Sequence, residues 1–247
     1  MNPGWRSDDP ARDYRTRYGT PEHFAWDEAD RPRIQFDGYT RVVQALLPPP
    51  PLDLLDAGCG DGFLSLRLQE SGYQVWGVDF SDRAIGFASQ RVAGARFRMF
   101  DLRRMEVEHA FERRFPAAVL VEVLEHVPPD DHGRVLAGLH RALLPGGCLI
   151  VSVPSIHLQP VNRWHYKHFA LDEGRALLSL AGFRVTRVVC QRRESVLWSP
   201  NLWRFVKNRY YDLRFVRRAL RTLLLTRWNV TDNPDAAGRY VFKGVKG

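Results

Sequence analysis

"LLDAGCGDGF", residues 54–63, decides the fold. Three glycines at alternate positions, Gly58, Gly60 and Gly62, follow a short apolar run that closes on Asp56 and Ala57. A buried strand that runs through a glycine turn into a helix seats its ligand over the turn. Spacing narrows the ligand. A dinucleotide turn needs G-x-G-x-x-G, which from Gly58 would put the third glycine at 63, where Phe63 stands, and no Gly-Lys-Ser/Thr follows for a phosphate loop. Charge narrows it again: Asp61, at the start of the next helix, would repel a pyrophosphate, whereas Asp56 and Asp61 can accept the ammonium of an aminoacyl tail.

Outward from this turn, strand-like and helix-like stretches alternate. "YQVWGVD", "ARFRMF", "AAVLVEV", "CLIVSVP", "FRVTRVVCQ" and "GRYVFKGVK" read as strands after "DLLDAG". Between them "FLSLRLQESG", "SDRAIGFASQRV" capped by Ser81, "DDHGRVLAGLHRALLPGG" with its Pro/Gly stop, and "LDEGRALLSLAGF" read as helices. Ahead of the first strand, Ile34, Tyr39, Val42, Val43, Leu46 and Leu47 fall at helical spacing, and the proline run 48–51 ends that helix. The alternation predicts an α/β fold with a doubly wound, mainly parallel sheet, helices on both faces, and a ligand beyond the carboxyl ends of the strands.

Two further strand ends carry candidate contacts. Asp79 closes "VWGVD", 17 residues after Gly62, where a carboxylate can accept from two ribose hydroxyls; a helix cap is the alternative, but Ser81 and Asp82 already supply one. Phe80 can pack on an adenine face. In "MFDL", Asp101 can accept from the adenine amine while the N–H of Leu102 donates to the ring; a loop aspartate capping its own turn is the competing reading.

Taken together, "LLDAGCGDG", "GVDFS", "FDL", "VEVLEHVP", "LLPGGCLIVSVP" and "HYKHFALDEGRALLSLAGF" make the chain resemble the class I S-adenosylmethionine-dependent methyltransferases of the small-molecule type. The resemblance covers roughly Leu52 to Gln191 and resumes at the last strand. It implies a Rossmann-like sheet of seven strands with an antiparallel last strand, and S-adenosylmethionine as cofactor with S-adenosylhomocysteine as product. It implies that the turn with Asp56, Gly58, Cys59, Gly60 and Gly62 holds the methionine part, that Asp79 holds the ribose and Asp101 and Leu102 the adenine, and that Glu122 lies beside the sulfonium. Pro116 stands where the family usually has an aspartate opening the fourth strand.

Methyl transfer from a sulfonium is an in-line displacement, so alignment in a water-poor site is the main task, and an oxygen acceptor also needs a base. Glu122, Glu125 and His126 in one loop, and His157, His165, Tyr166 and His168 in the next, supply the candidates. One of His126, His165 and His168 is expected as general base, with a structural role at the helix start as the alternative for His168. No H-x-E-x-H or carboxylate cluster at ligand spacing is present, so no metal is expected. A D/N-P-P-aromatic motif, a Pro-Cys pair and a double-glutamate loop are all missing, which leaves transfer to an oxygen or nitrogen atom of a small-molecule acceptor: a sugar, a natural product or a lipid-linked intermediate. Tyr18, His157, Tyr166 and Trp203 are the expected acceptor contacts.

With 247 residues, 45% of them apolar, the chain can bury one sizeable core. It is expected to be a single domain with an N-terminal helical cap over 1–47, a core over 52–194 and 237–247, and an insertion over 195–236. Cys59, Cys148 and Cys190 show no metal or disulfide spacing, no stretch reads as a leader or membrane span, and a cytoplasmic protein is expected. Of the net charge of +8, seven lie in residues 195–228, where eight Lys and Arg meet Asp212 alone. Leu202, Val206, Leu213, Val216, Leu220 and Leu224 recur there at helical spacing. The readings of this segment are a lid with solvated arginines, a helix lying on a membrane surface or lipid-linked substrate, and, least favoured, a nucleic-acid contact. A different class of function also fits the sequence: a non-catalytic adenosyl-ligand-binding protein that docks through this helix. The sequence says nothing of oligomeric state.

Overall fold

The computed structural model describes residues 19–21, 23–25, 31–107, 109–159, 161, 164–192, 213, 215–216, 219 and 230–247. After α1 (Arg31–Leu46), the chain runs through β1 (Asp53–Ala57), α2 (Phe63–Glu70), β2 (Gln74–Asp79), α3 (Asp82–Arg91) and β3 (Arg96–Met99). It continues through β4 (Phe115–Val121), α4 (His132–Ala142), β5 (Leu143–Pro154), α5 (Leu171–Leu180), β6 (Phe183–Arg192), β7 (Val230–Thr231) and β8 (Ala237–Lys246). One sheet results, in the order β3-β2-β1-β4-β5-β8-β6-β7. The first five strands are parallel, and β8 lies antiparallel between β5 and β6. The strand order reverses between β1 and β4, so the loops after these two strands flank the crevice where such sheets take ligands.

Alternation along β1 builds both layers. Leu54 and Leu55 are adjacent and wholly buried, yet they point to opposite faces, because strand side chains alternate. Leu54 packs with Val43 and Leu46 of α1 and with Leu64 and Leu68 of α2. Leu55 packs with Leu136 and Leu139 of α4 and Leu178 of α5. Each such leucine contributes about 1.5–3 kcal/mol by leaving water.

The sheet has eight strands where seven were expected. The extra one, β7, pairs Val230 and Thr231 with Gln191 and Cys190, and two residues are too few to produce a periodic signal. The helix expected to run into "LLPGG" ends at Ala142. Leu143 already pairs with Phe115, and the next pair is Ala117 with Cys148, so the Pro/Gly segment bulges out of β5. Most of the insertion, including Trp203 and all but a few positions of its expected helix, and Tyr18 in the N-terminal segment, lie outside the described residues. No helix among the described residues is long and apolar enough to cross a membrane.

Candidate functional site

Two clefts open side by side beyond the strand ends. The first, about 610 Å³, is walled by Asp79, Phe80, Phe100, Asp101 and Leu102. The second, about 1240 Å³, is walled by Asp56, Cys59, Asp61, Tyr39, His165 and Arg239 among others. Gly58, Glu122 and His126 line both, so the clefts meet at these three residues.

The glycine turn fits an adenosyl ligand. Gly58 has φ +80°, and a Cβ there would lie 2.4 Å from Val123 Cγ2, so the turn backbone presses against the loop after β4. Gly62 has φ +86° and would put a Cβ 2.8 Å from that of Ala88, which lets α2 start close against α3. Asp79, 5% exposed, accepts from the Gly60 N–H at 3.0 Å and the Ser81 N–H at 2.9 Å. Ser81 itself caps α3 by accepting from the Ala84 N–H, so the cap alternative for Asp79 does not hold. Burial pushes the Asp79 carboxyl up to about 6.

The two other aspartates of the turn differ. Asp56, 1% exposed, accepts from Ser65 Oγ at 2.6 Å, and burial pushes its carboxyl up to about 7. Asp61 accepts from the His23 backbone N–H at 2.9 Å and pairs with His23 Nδ1 at 3.0 Å, so the segment at His23 reaches the glycine turn. Both carboxylates line the second cleft, as a cationic tail requires. Cys59 shares that wall, and burial raises its thiol well above the usual value.

In the first cleft, Asp101 is clamped by Arg103, whose Nη2 lies 2.6 Å from Oδ2 and whose Nε lies 3.0 Å from Oδ1. This favours a self-contained loop aspartate over an open acceptor. Leu102 opens the 3-10 turn Leu102–Val107, and the first N–H groups of a turn have no partner within it.

The loops after β4 and β5 are zipped together around the histidines. Glu122 leaves β4 with φ +55°, a backbone state that non-glycine residues seldom hold. Its Oε1 accepts from Ser152 Oγ at 2.5 Å and its Oε2 from Arg239 Nε at 2.6 Å. Next, Glu125 and His126 form a 3-10 turn that buried His132 pins from below, its Nε2 donating to the Leu124 and Val127 carbonyls. The second loop is hydrogen-bonded onto this turn at two points that bracket His165. The His126 Nδ1–H donates to the Trp164 carbonyl at 2.8 Å, and the Tyr166 N–H donates to the Glu125 carbonyl at 2.7 Å. His165 therefore stands edge-on to His126, with ring centres 4.7 Å apart, and its Nδ1 meets His168 Nε2 at 2.9 Å. Burial lowers the His168 pKa, outweighing the nearby Leu158 and Ser155 carbonyls.

Glu125 is fully buried, and burial, with the Glu122 charge beside it, raises its carboxyl well above the usual range. Arg239 comes from β8, stacks over the Tyr39 ring at 4.7 Å, and brings the compensating positive charge. Burial also raises the Tyr39 phenol.

Of the expected residues, the structure brings Asp56, Gly58, Cys59, Gly60, Asp79, Phe80, Asp101, Leu102, Glu122, His126, His165 and His168 to the clefts. Gly62 acts behind the turn, at α3. His157 turns to Asp235, 3.3 Å away, and neither it nor Tyr166 is among the cleft residues. Residues with no assigned site role in the sequence join them: His23, Tyr39 and Arg239 in the second cleft, Phe100 and Arg103 in the first. Arg239 is the one with a usable signal, a charge inside the apolar strand "GRYVFKGV".

Residues 29–187 match the family model of the methyltransferase domain. YqeM of Bacillus subtilis (strain 168), named as a methyltransferase, is 31% identical over 122 residues, 49% of each chain. A ubiquinone biosynthesis O-methyltransferase of Dechloromonas aromatica is 33% identical over 102 residues, 40% of this chain and 43% of its own. The chain thus spans about half or less of the length of these curated relatives. Among solved structures, the magnesium protoporphyrin IX methyltransferase of Synechocystis, with bound S-adenosylhomocysteine, superposes with a TM-score of 0.62 at 18% identity, over 97% of this chain and 96% of its own, a likeness of fold. The glycine turn, the reversed strand order and the matched domain agree: the chain belongs to the methyltransferase-domain family.

Proposed function

We propose that the protein is an S-adenosylmethionine-dependent methyltransferase acting on a hydroxyl of a small molecule. The observation that carries this reading is the meeting of the two clefts at Gly58, Glu122 and His126. Bound S-adenosylmethionine supplies a methyl carbon on a sulfonium and leaves as the neutral thioether. The first cleft takes the adenosine, with Asp79 toward the ribose and Phe80 and Leu102 against the base. The turn aspartates Asp56 and Asp61 face the aminoacyl ammonium, and Glu122, fixed by Ser152 and Arg239, sets the charge beside the sulfonium.

The second cleft takes the acceptor. Its oxygen lies against His126 and His165, whose imidazoles promote loss of the hydroxyl proton, while alignment of the oxygen with the methyl carbon supplies much of the rate. Oxygen rather than nitrogen is supported by this base-rich wall and by the O-methyltransferase among the relatives. The acceptor is a small organic alcohol or phenol; a sugar, a natural product and a lipid-linked intermediate are the classes to test.

The test is transfer of labelled methyl from S-adenosylmethionine into a small-molecule extract, with mass identification of the product. Label in a methyl ether, lost in His126→Ala, is expected. Calorimetry that finds no binding of S-adenosylmethionine, or binding unchanged in Asp79→Ala, would overturn the cofactor assignment; binding without transfer would favour an adenosyl-ligand-binding protein.

A further inference from the structure

Glu125 has no hydrogen-bond partner for either carboxylate oxygen among the described residues, although it is 0% exposed. Burying a carboxyl group with neither oxygen hydrogen-bonded is unfavourable in either protonation state, and a leucine would fill the same space without that penalty. Glu122 cannot relieve it, being the same sign, and its own oxygens already hold Ser152 and Arg239. One ligand atom each from Glu125, His126 and His165 fall within 4.8 Å of one another. We propose that these three side chains hold a divalent transition-metal ion that presents an open coordination position to the acceptor. This rests on the reading that the second cleft takes a hydroxyl acceptor.

The histidines are set for ligation independently of Glu125. Because a carbonyl only accepts, the bond to Trp164 fixes the proton of neutral His126 on Nδ1 and leaves the lone pair on Nε2. His165 is oriented through its own Nδ1 by His168. Outer partners of this kind fix the tautomer and aim of metal-bound imidazoles. Two imidazoles and one carboxylate suit zinc, manganese, iron or cobalt rather than calcium or magnesium, which prefer oxygen. Three protein ligands leave a fourth position open, as in catalytic rather than structural zinc sites. Ligands about 2.0–2.1 Å from such an ion sit about 3.4 Å apart, so no pair closes by more than about 1.4 Å on binding.

The sequence expectation of no metal rested on local spacing. His165 lies 39 residues beyond His126, and only the zipped loops bring them together. In the proposed site the two imidazoles promote loss of the acceptor's proton through the ion they hold, not as bases: the hydroxyl binds the open position and releases its proton to solvent at a lower pH than it would alone. Its lone pair then forms the C–O bond to the methyl carbon, the C–S pair stays on sulfur, and the ion keeps its oxidation state.

The test uses the full chain, stripped with chelator and titrated with zinc and manganese by calorimetry and with cobalt by visible absorbance. One ion per chain is expected, with affinity at least tenfold weaker in Glu125→Gln and in His165→Ala. Glu125→Gln should melt no lower than the stripped wild type, which shows that lost metal binding is not lost folding. Methyl transfer should vanish with chelator and return with one equivalent of ion. No stoichiometric ion, or an affinity that both substitutions leave unchanged, would overturn the site. Cofactor binding is measured in the same chelated samples: its presence keeps the proposed function standing without the metal, and its absence refutes that function instead.

Discussion

Gly58→Ala tests the junction of the two clefts at its tightest point. The new methyl would lie 2.4 Å from Val123 Cγ2, 3.1 Å from Cγ1 and 3.3 Å from Cβ, where contact distances for carbon are about 3.5–4.0 Å. Val123 must therefore shift by about 1 Å, and overpacking of this kind costs about 1–3 kcal/mol. The residue also sits at φ +80°, and a left-handed L-residue adds about 1–2 kcal/mol. The sum is about 2–5 kcal/mol, measurable by urea unfolding followed through the fluorescence of the seven tryptophans. Because Val123 walls the first cleft, affinity for S-adenosylmethionine should drop as well. Val123→Ala removes the two methyls that clash but leaves the backbone angle as it is. A double-mutant cycle should therefore return an interaction of at least about 1 kcal/mol, with the rest of the loss persisting. A Gly58→Ala protein within about 0.5 kcal/mol of wild type, or a cycle with no interaction, would refute the reasoning.

Three further outcomes follow from the buried charges. Arg239→Met leaves Glu122 and Glu125 uncompensated and should destabilise by about 3–5 kcal/mol, much of it recovered in the pair with Glu122→Gln, read by denaturant midpoints. Asp56 has its carboxyl raised from 3.8 to about 7, so the folded state binds that proton more tightly than the unfolded chain. On the order of 4 kcal/mol of apo stability is thus present below about pH 4 and lost as pH rises through about 7. Melting of Asp56→Asn should follow a flatter pH curve, while wild-type affinity for the cationic cofactor should rise with pH up to about 7 and then level. His132→Ala removes the support beneath Leu124 and Val127, and should lower the methyl-transfer rate about tenfold with little change in cofactor affinity; equal loss of both would count against a positioning role.

The parts of this molecule legible in its sequence are those governed by short-range physics. The strand-turn-helix at 54–63 and the Ser81 cap both follow from neighbours in the chain, and both stand in the structure. The extra strand β7 was not legible, because pairing two residues is a tertiary event. Nor was the bulge in β5, where a Pro/Gly run that looks like a helix stop is absorbed into a strand by pairing with β4. Within the site, Asp79 was legible from its place at a strand end. The clamp of Arg103 on Asp101 and the solitude of Glu125 were not, since each depends on which side chains a distant loop brings alongside. His157 illustrates the converse: a histidine three residues past β5 looked like an acceptor contact, yet its ring pairs with an aspartate just before β8.

Arg239 arrives on β8, 117 residues after the glutamate it neutralises. During synthesis both Glu122 and Glu125 therefore emerge long before their counter-charge. β8 must also slide between β5 and β6, which it joins only in antiparallel sense. Closing the sheet and balancing the site therefore depend on the same strand, and a chain stalled before residue 239 leaves Glu122 and Glu125 without this counter-charge beside an open sheet edge.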